Sequence, residues 1–398
     1  MSTLIVNVGS TSVKTQLFDN NLQLKAELNA DYGAKEGLNI FGMSLNGVPF
    51  SHQDETVHHA HATLTFLFET WEHWLNENKI SLCAIGHRVV HGGAHFQTTT
   101  LITPSVLDTI ETLDNYAPLH NPLNRLGIEM AGRFFLNVMQ YAVFDTAFHR
   151  NIPTYAGRYA IAEKLSANVD FYRYGFHGIS CKHSVSAAAQ LLNQPPENLN
   201  LIILHLGGGA SATVVKQGIS IDTSMGFSPT EGLMMASRCG DIDPMIALTL
   251  AKEGKTFEEI NQLLNKQSGL KGVCGESDMR IILENAEQGD AMSELALSLF
   301  CYRIQKYIGA YFAVLNGNVD ALIFTGGIGE NAPRIRQRIL DNLDGLGWVL
   351  DQNLNKQKLQ GNMDVSTKNS PSRVLLIHAQ EEREIAKQIR EFISNEMP

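Results

Sequence analysis

The sequence has few of the signals that mark a membrane, secreted or nucleic-acid-binding protein. Its longest apolar runs fall far short of the roughly 18 residues that a membrane span needs. The opening MSTLIVNVGSTSVK has no basic segment followed by a long apolar core and cleavage site, so no signal peptide is expected. Cysteine is scarce: Cys83, Cys181, Cys239, Cys274 and Cys301 are an odd number, with no pair in CxxC spacing. This excludes a disulfide framework and a cysteine-based zinc site, and it fits reduced thiols in a cytoplasmic protein. Positive charge is in deficit, with 31 Lys+Arg against 41 Asp+Glu and a net charge of −10. That argues against general nucleic-acid binding and leaves room for a local basic pocket that takes a small anion. Long Pro- or Ser-rich linkers are also missing, so any domain boundary must fall at an ordinary loop.

What the chain does have is enough apolar residue, 44% of 398, for a sizeable core, and a length that favours two domains. Short apolar strands are expected at 3–8, 82–90, 140–145, 200–206, 320–325 and 373–378. Helices are expected at 55–76, 123–138, 179–193, 242–252, 256–266, 290–313, 333–344 and about 380–396. In the first helix Val57, Ala60, Leu64, Leu67, Trp71 and Leu75 recur at three- and four-residue spacing. Strands alternating with helices define an α/β protein. The best boundary follows AVFDTAFH near residue 150, with the last helix returning to the first domain.

Two stretches share a plan. TLIVNV is broken by Gly9 and Ser10–Ser12, and VKTQLFD resumes the strand. LNLIILHL is broken by Gly207–Gly209, and ASATVV resumes. Glycine in a strand costs backbone entropy and packs nothing, so these hairpin turns need the bare backbone for close approach. Two similarly built halves follow from the match.

Three motifs are decoys. Gly254-Lys255-Thr256 imitates the end of a phosphate-binding loop, but the earlier glycine is Thr249 and no strand precedes it, so a helix cap is the better reading. His58, His59, His61 and His73 lie mostly on the polar face of a predicted helix, without Cys or carboxylate partners at ligand spacing. Gly327-x-Gly329-x-x-Ala332 follows a strand, opens a helix, and has Asp351 where a ribose-binding acid would sit. Fewer than 50 residues remain after Asp351, too few for a dinucleotide domain, so these glycines let adenosine or phosphate approach the backbone instead.

Polar residues at strand ends and turns complete the inventory: Arg88 in GHRVVHGG, His120 and Asn121 in APLHNP, Asp145 in VFDTAFH, and His177 in YGFHG. Glu231, Arg238, Asp241 and Asp243 share the long stretch DTSMGFSPTEGLMMASRCGDIDP. Any one of these could be a structural ion pair. Together with three Gly/Ser turns they supply what phosphoryl transfer needs: backbone amides, a carboxylate for Mg²⁺ and cations for the transferring group.

These blocks, with NVGSTSVK, HLGGGAS, GVCGESDMR and FTGGIGENA, occur in order along essentially the whole chain. In them the sequence resembles the acetate and propionate kinase (acetokinase) family. The resemblance implies a duplicated RNase-H-like fold of the actin and sugar-kinase type, two domains with a central nucleotide cleft. It implies a first domain of 1–149 plus 383–398, closed by the C-terminal helix, and a nucleotide-binding domain of 150–382. The implied reaction is Mg²⁺-dependent, reversible phosphorylation of acetate by ATP to acetyl phosphate, linked to acetyl-CoA and acetate metabolism. Propionate or another short acyl chain is the alternative acceptor. Mn²⁺ is an alternative metal, a homodimer is the implied assembly, and neither nucleic acid nor membrane is an implied partner.

By the same resemblance Asn7 and Glu381 hold the metal. Ser10, Ser12 and Lys14 form the first phosphate turn. Arg88 and Arg238 grip the acceptor carboxylate and the transferring group, His177 donates to that group, and His120 and His205 support it. Asp145 lies close to the metal and the arginines. Gly207, Gly208, Gly209, Ala210 and Ser211 contact phosphate. Asp278, Met279, Arg280, Gly327, Ile328, Gly329, Glu330 and Asn331 flank the adenosine. Val90, Leu119, Phe176 and Pro229 line the methyl pocket, and a valine at 90 favours acetate over propionate. The sequence departs from the family pattern in places. Gly208 stands where an Asn is usual, Cys239 where Ser is usual, Cys181 follows Ser180 in place of His, and HAQEE replaces a Thr-Asn-Glu-Glu run. Two rival readings are weaker. A structural ATPase needs no pair of arginines for a carboxylate, and a dinucleotide-dependent dehydrogenase lacks the chain length.

Overall fold

The computed structural model describes residues 2–396 apart from 35, 36, 46, 55, 56, 58, 163, 164, 166–168 and 342. The chain divides into two compact units, Met1–Ala147 with Gln380–Pro398, and Phe148–Ala379. Glu381 and Glu382 therefore belong to the first unit.

The first unit is built on an eight-stranded sheet. In chain order its strands are β1 (Ser2–Val8), β2 (Ser12–Phe18), β3 (Leu24–Ala34), β4 (Gly37–Met43), β5 (Pro49–Asp54), β6 (Leu82–Val89), β7 (Thr100–Leu101) and β8 (Met139–Phe144). The spatial order is β5-β4-β3-β2-β1-β6-β8-β7. β1 is antiparallel to β2 and parallel to β6, and β6 is parallel to β8. Covered on both faces, β1 reads as a continuous apolar run instead of an alternating one. Because successive side chains point to opposite faces, Val6 and Val8 meet Gly127 of the helix Asn121–Phe134, while Ile5 and Gly86 face Ile385 and Ile389 of the C-terminal helix Glu381–Glu396. The helix Ala60–Glu77 adds Leu64, Leu67, Phe68 and Trp71 to the core, and the Trp71 indole donates to Thr15 Oγ1 at 2.7 Å.

The second unit carries β9 (Leu201–Leu206), β10 (Ala210–Lys216), β11 (Ile219–Thr223), β12 (Ala321–Thr325), β13 (Met363–Asp364) and β14 (Arg373–Leu376), ordered β11-β10-β9-β12-β14-β13. β9 is antiparallel to β10 and parallel to β12, and β12 is parallel to β14. The sequence β3-β2-β1-β6-β8 in one sheet and β11-β10-β9-β12-β14 in the other is the same order with the same sense. This is the duplication that the two glycine-broken hairpins announced.

Several elements differ from the sequence expectation. The first long helix starts at Ala60, capped by the His59 imidazole, which accepts from Ala62 N at 3.3 Å; His58 lies outside the described residues. The helix expected from 123 begins at Asn121, since Pro122 is tolerated in a first turn, and ends at Phe134. Gly326, Gly327 and Gly329 are themselves helical, in Gly326–Asn331. Thr256 is a helix cap, as expected, closing a capping box with Glu259.

Candidate active site

In the first unit β1 and β2 pair up to Val8 opposite Val13, so Gly9–Thr11 make the turn. Gly9 N donates to Ser12 O at 2.7 Å, and the Tyr32 hydroxyl donates to Gly9 O at 2.6 Å. Asn7 and Lys14 are register partners at the mouth of this hairpin. Arg88 ends the parallel strand β6 and Asp145 follows β8, the carboxyl ends where α/β sheets carry ligands. Arg88 donates to Asp145 Oδ2 from Nε at 3.1 Å and Nη2 at 2.5 Å, and from Nη1 to Asn7 Oδ1 at 3.2 Å. The Asn7 amide in turn donates to Glu382 Oε1 at 2.9 Å, at the start of the C-terminal helix. Burial opposes the charge on Arg88, and Asp145, Glu381 and Glu382 more than offset it, so its pKa is raised. Burial, with Asp145 and Glu382 nearby, pushes the Glu381 carboxyl up to about 7 against the pull of Arg88 and Lys14.

The metal expected at Asn7 and Glu381 can be tested against these residues. Asp145 Oδ1 is buried with no hydrogen-bond partner among the described residues. Around the Glu381 carboxylate gather two further carboxylates, Asp145 and Glu382, and two cations, Arg88 and Lys14. Oxygen donors in excess of cations are the set that Mg²⁺ takes, so the residues fit. Among the described residues no three His, Cys, Asp or Glu are already drawn to metal spacing. Glu382, the alternative to Glu381 that the HAQEE run leaves open, is the carboxylate bonded to Asn7, and Asn7 Oδ1 accepts from Arg88 with one of its two lone pairs.

The APLHNP turn serves this end of the sheet through its asparagines. Asn121 Oδ1 accepts from His91 N and its amide donates to His91 O. Asn124 Oδ1 accepts from Val90 N and its amide donates to Val8 O. They fix the backbone after Arg88 and hold Val90 buried. His120 heads the helix, and Leu119 is 42% exposed in this unit. Phe176 and Pro229, the other expected pocket residues, belong to the second unit, Phe176 fully buried and Pro229 partly.

In the second unit the glycine turn 207–209 joins β9 to β10, with Gly207 N donating to Gly209 O at 2.9 Å. His177 has φ 57, a left-handed conformation at the start of the helix Gly178–Leu192. Its Nδ1 lies 3.0 Å from Ser211 Oγ, and its ring stacks on His205 with centroids 4.1 Å apart. His205 Nδ1 is held 2.8 Å from Ser180 Oγ. A side chain at Gly209 would come 3.3 Å from His177 Nε2 and 3.7 Å from Arg238 Nη1, so both groups point at this glycine. Among the described residues Arg238 has no carboxylate partner, only Met235 Sδ at 3.8 Å, and desolvation lowers its pKa. A desolvated, unpaired guanidinium is a site for an anion.

Beside the turn lies a cavity of ≈ 490 Å³. Among the residues that line it are Gly207, Gly208, Asp278, Met279, Arg280, Gly327, Ile328 and Asn331, all of them named by the resemblance. Leu283, Pro333 and Arg334 also line it and were missed. Leu283 was legible, since it lies one helical turn beyond Met279 on the helix Met279–Glu287. Glu330 turns away: its carboxylate accepts from Gly326 N and Ala379 N, at 3.1 and 2.9 Å, and pairs with His378 at 2.7 Å. Gly329 is buried.

Two RNase-H-like units, with a glycine turn and an arginine lacking a carboxylate partner among the described residues at one and an arginine–carboxylate cluster at the other, define the actin-like class of nucleotide-dependent phosphotransferases. The sequence matches the Acetokinase family over residues 2–387, and the chain belongs to that family. It is 43% identical over 99% of both chains to a protein named acetate kinase from Sulfurovum sp.. It is 42% identical to one from Campylobacter jejuni, over 99% of this chain and 100% of that one. A propionate kinase from Francisella tularensis superposes with TM-score 0.89 at 38% identity, over 97% and 98% of the two chains. An acetate kinase from Porphyromonas gingivalis gives 0.87 at 33% identity, over 98% and 99%.

Proposed function

We propose that the chain transfers the γ-phosphoryl group of ATP to acetate, giving acetyl phosphate by direct in-line displacement with Mg²⁺ bound. The observation that carries this reading is Arg238, desolvated, without a carboxylate partner among the described residues, and aimed with His177 at the glycine turn. The alternative acceptor, propionate, is not favoured: relatives named acetate kinase match over the full chain, and Val90 is buried and fixed.

A carboxylic acid with pKa of about 4–5 is already ionised at neutral pH, so no general base is required. The barrier is repulsion between an anionic acceptor and a polyanionic phosphate. Arg88 has five N–H groups, of which three are used by Asp145 and Asn7; one N–H on each Nη is left for the acceptor carboxylate. Asp145 keeps the fork in plane and removes no proton. Arg238 and His177 meet the transferring group, and His205 and Ser211 fix the imidazole. Within the glycine turn the Gly207 amide is held by Gly209 O, so the amides of Gly208 and Gly209 take phosphate oxygens, and the cavity beside them takes the nucleoside. Asn7, Glu381, Glu382 and Asp145 would hold Mg²⁺, which neutralises phosphate charge when bound.

Among the described residues no helix is long and apolar enough to cross a membrane. A cytoplasmic homodimer completes the proposal. The helices Pro244–Lys252 and Phe257–Lys266 bury no residue within the monomer and expose Met245, Ile246, Leu248 and Phe257, a face that a second copy can cover. The test is acyl-phosphate formation from ATP and Mg²⁺ with acetate, propionate and butyrate side by side. Acetate should give the highest kcat/KM. Butyrate as the best acceptor would overturn the pocket assignment, and no acyl phosphate from any acid would overturn the reaction.

A further inference from the structure

Arg238 lies in a stretch of twenty residues, 224–243, without helix or strand. Irregular segments of that length inside a compact unit are uncommon and are usually functional. Its inner part, 232–241, is closed by a neck. Gly232 N donates to Asp241 Oδ1 at 2.8 Å and Asp241 N donates to Gly232 O at 2.9 Å. Gly232 (φ 102) and Gly240 (φ 68) are both left-handed, and a side chain at Gly240 would come 2.6 Å from Gly232 O, so the neck admits only glycine there.

Two carboxylates fasten this neck to the rest of the unit. Asp241 Oδ2 accepts from the Tyr307 hydroxyl at 2.7 Å. Glu231 Oε1 accepts from Arg173 Nη2 at 2.7 Å, and its Oε2 accepts a short hydrogen bond from Tyr159. Tyr159 Oη in turn accepts from Phe227 N at 2.7 Å, and Arg173 Nη1 donates to Thr223 O and Ser224 O at 2.9 and 3.3 Å. The fit leaves no slack: a Cβ on Gly226 would fall 1.6 Å from Glu231 Oε2. At the tip, Ala236 N donates to Gly208 O at 3.2 Å, which ties the loop to the glycine turn.

We propose that Glu231 and Asp241 are positioning residues, which clamp the neck of the 232–241 loop and so set Arg238 against the glycine turn. Neither carboxylate touches substrate. Each has its oxygens committed to protein donors, and its effect on turnover passes through Arg238. The proposal rests on the reading of Arg238 as the cation that meets the transferring phosphoryl group.

The experiment compares Glu231→Gln and Asp241→Asn, which keep shape and remove charge, in wild-type and Arg238→Lys backgrounds. The readouts are kcat, KM for ATP, melting temperature and hydrogen exchange of residues 233–240. In the wild-type background each substitution should lower kcat about tenfold or more, the cost of a misplaced group, with KM for ATP changed less than about threefold. In the Arg238→Lys background the same substitutions should cost less than about twofold, because the group they position is already lost. Exchange in 233–240 should accelerate while the melting temperature holds. An unchanged kcat, or an equal loss in both backgrounds, overturns the proposal. Should either variant fail to fold, Tyr159→Phe and Tyr307→Phe remove one donor from each carboxylate and are read in the same way. A wild-type chain that makes no acyl phosphate refutes the reaction. The neck is then judged by the exchange data alone, and unaltered exchange overturns it.

Discussion

Arg88 and Asp145 meet in a two-point contact, Nε at 3.1 Å and Nη2 at 2.5 Å from one carboxylate oxygen, across 57 residues of chain. The contact fixes the plane of the guanidinium and gives the carboxylate a task other than proton removal. It leaves Asp145 Oδ1 buried and unbonded among the described residues, open to a cation. A charged hydrogen bond of this kind is strong, and removing one partner leaves the other buried and uncompensated.

Arg88→Ala should lower kcat by orders of magnitude with the fold intact by circular dichroism, because Arg88 is at a strand end and not in an apolar core cluster. Arg88→Lys should recover little, since an ammonium cannot reproduce the fork. Asp145→Asn should lower kcat about a hundredfold. Near-normal turnover in Arg88→Ala would refute the role of the arginine.

Gly208 offers a gain of function. A Cβ built there meets no atom within 4 Å, and its φ is not left-handed, so a side chain is accommodated. Gly208→Asn places an amide donor beside the cavity lined by Gly207, Asp278 and Asn331. One hydrogen bond to a charged acceptor is worth about 1.5–3 kcal/mol, so KM for ATP should fall about tenfold or more with kcat within about twofold. A raised KM for ATP would show that the side chain points away from phosphate.

Removal of the metal should abolish turnover reversibly. Glu381→Gln should weaken Mg²⁺ about tenfold or more, read both as the Mg²⁺ concentration for half-maximal rate and as Mn²⁺ binding by electron paramagnetic resonance. Unaltered Mn²⁺ affinity would remove Glu381 from the metal site and leave Glu382 as the candidate.

Gly86 lies where the C-terminal helix crosses the sheet. A Cβ there would come 2.3 Å from Ile389 Cδ1 and 2.7 Å from Ile5 Cδ1. Gly86→Ala should therefore destabilise by about 1–3 kcal/mol through overpacking, seen as a lowered melting temperature. Because that helix begins at Glu381, the requirement for Mg²⁺ should rise with it.

Acid should destabilise the protein through two buried histidines. Desolvation lowers His87 from 6.5 to about 4, partly opposed by its bond to Gln140, and desolvation lowers His91 likewise to about 4. Between pH 6.5 and 4 the unfolded chain binds protons that the folded chain refuses, so stability falls as pH falls through that window and is unaffected by these groups above it. Each histidine contributes up to roughly 3 kcal/mol. Glu381, raised to about 7, acts with the opposite sign over the same window, so the measurement is a comparison: from pH 7 to 5 the denaturant midpoint should fall less in His87→Gln than in the wild type, and an equal fall would contradict this.

Much of the fold was legible. β1, β9 and β12 are apolar runs with glycine after them, and the helices Gly178–Leu192 and Ala291–Val314 lie within a residue of their expected bounds. The segment 24–54 was not. Its strands β3, β4 and β5 lie toward the sheet edge, and β5 alternates between exposed and half-buried residues with no buried run to mark it. Leu283 was available from helical spacing, whereas Pro333 and Arg334 carried no such signal.

The sequence by itself determined the two glycine hairpins, the α/β class, the ordered blocks that place the chain in its family, and the residue types at the strand ends. These depend on backbone preference and short-range pattern. Only the tertiary structure decided which charge meets which. It joined Asn7 to Glu382 across 375 residues, turned the Glu330 carboxylate inward to His378 and Ala379, and gave Glu231 and Asp241 the neck of the loop. It also left Arg238 without an acidic partner among the described residues. A buried polar group takes whatever partner packing brings within about 3 Å, and nothing in a local stretch of sequence specifies that partner.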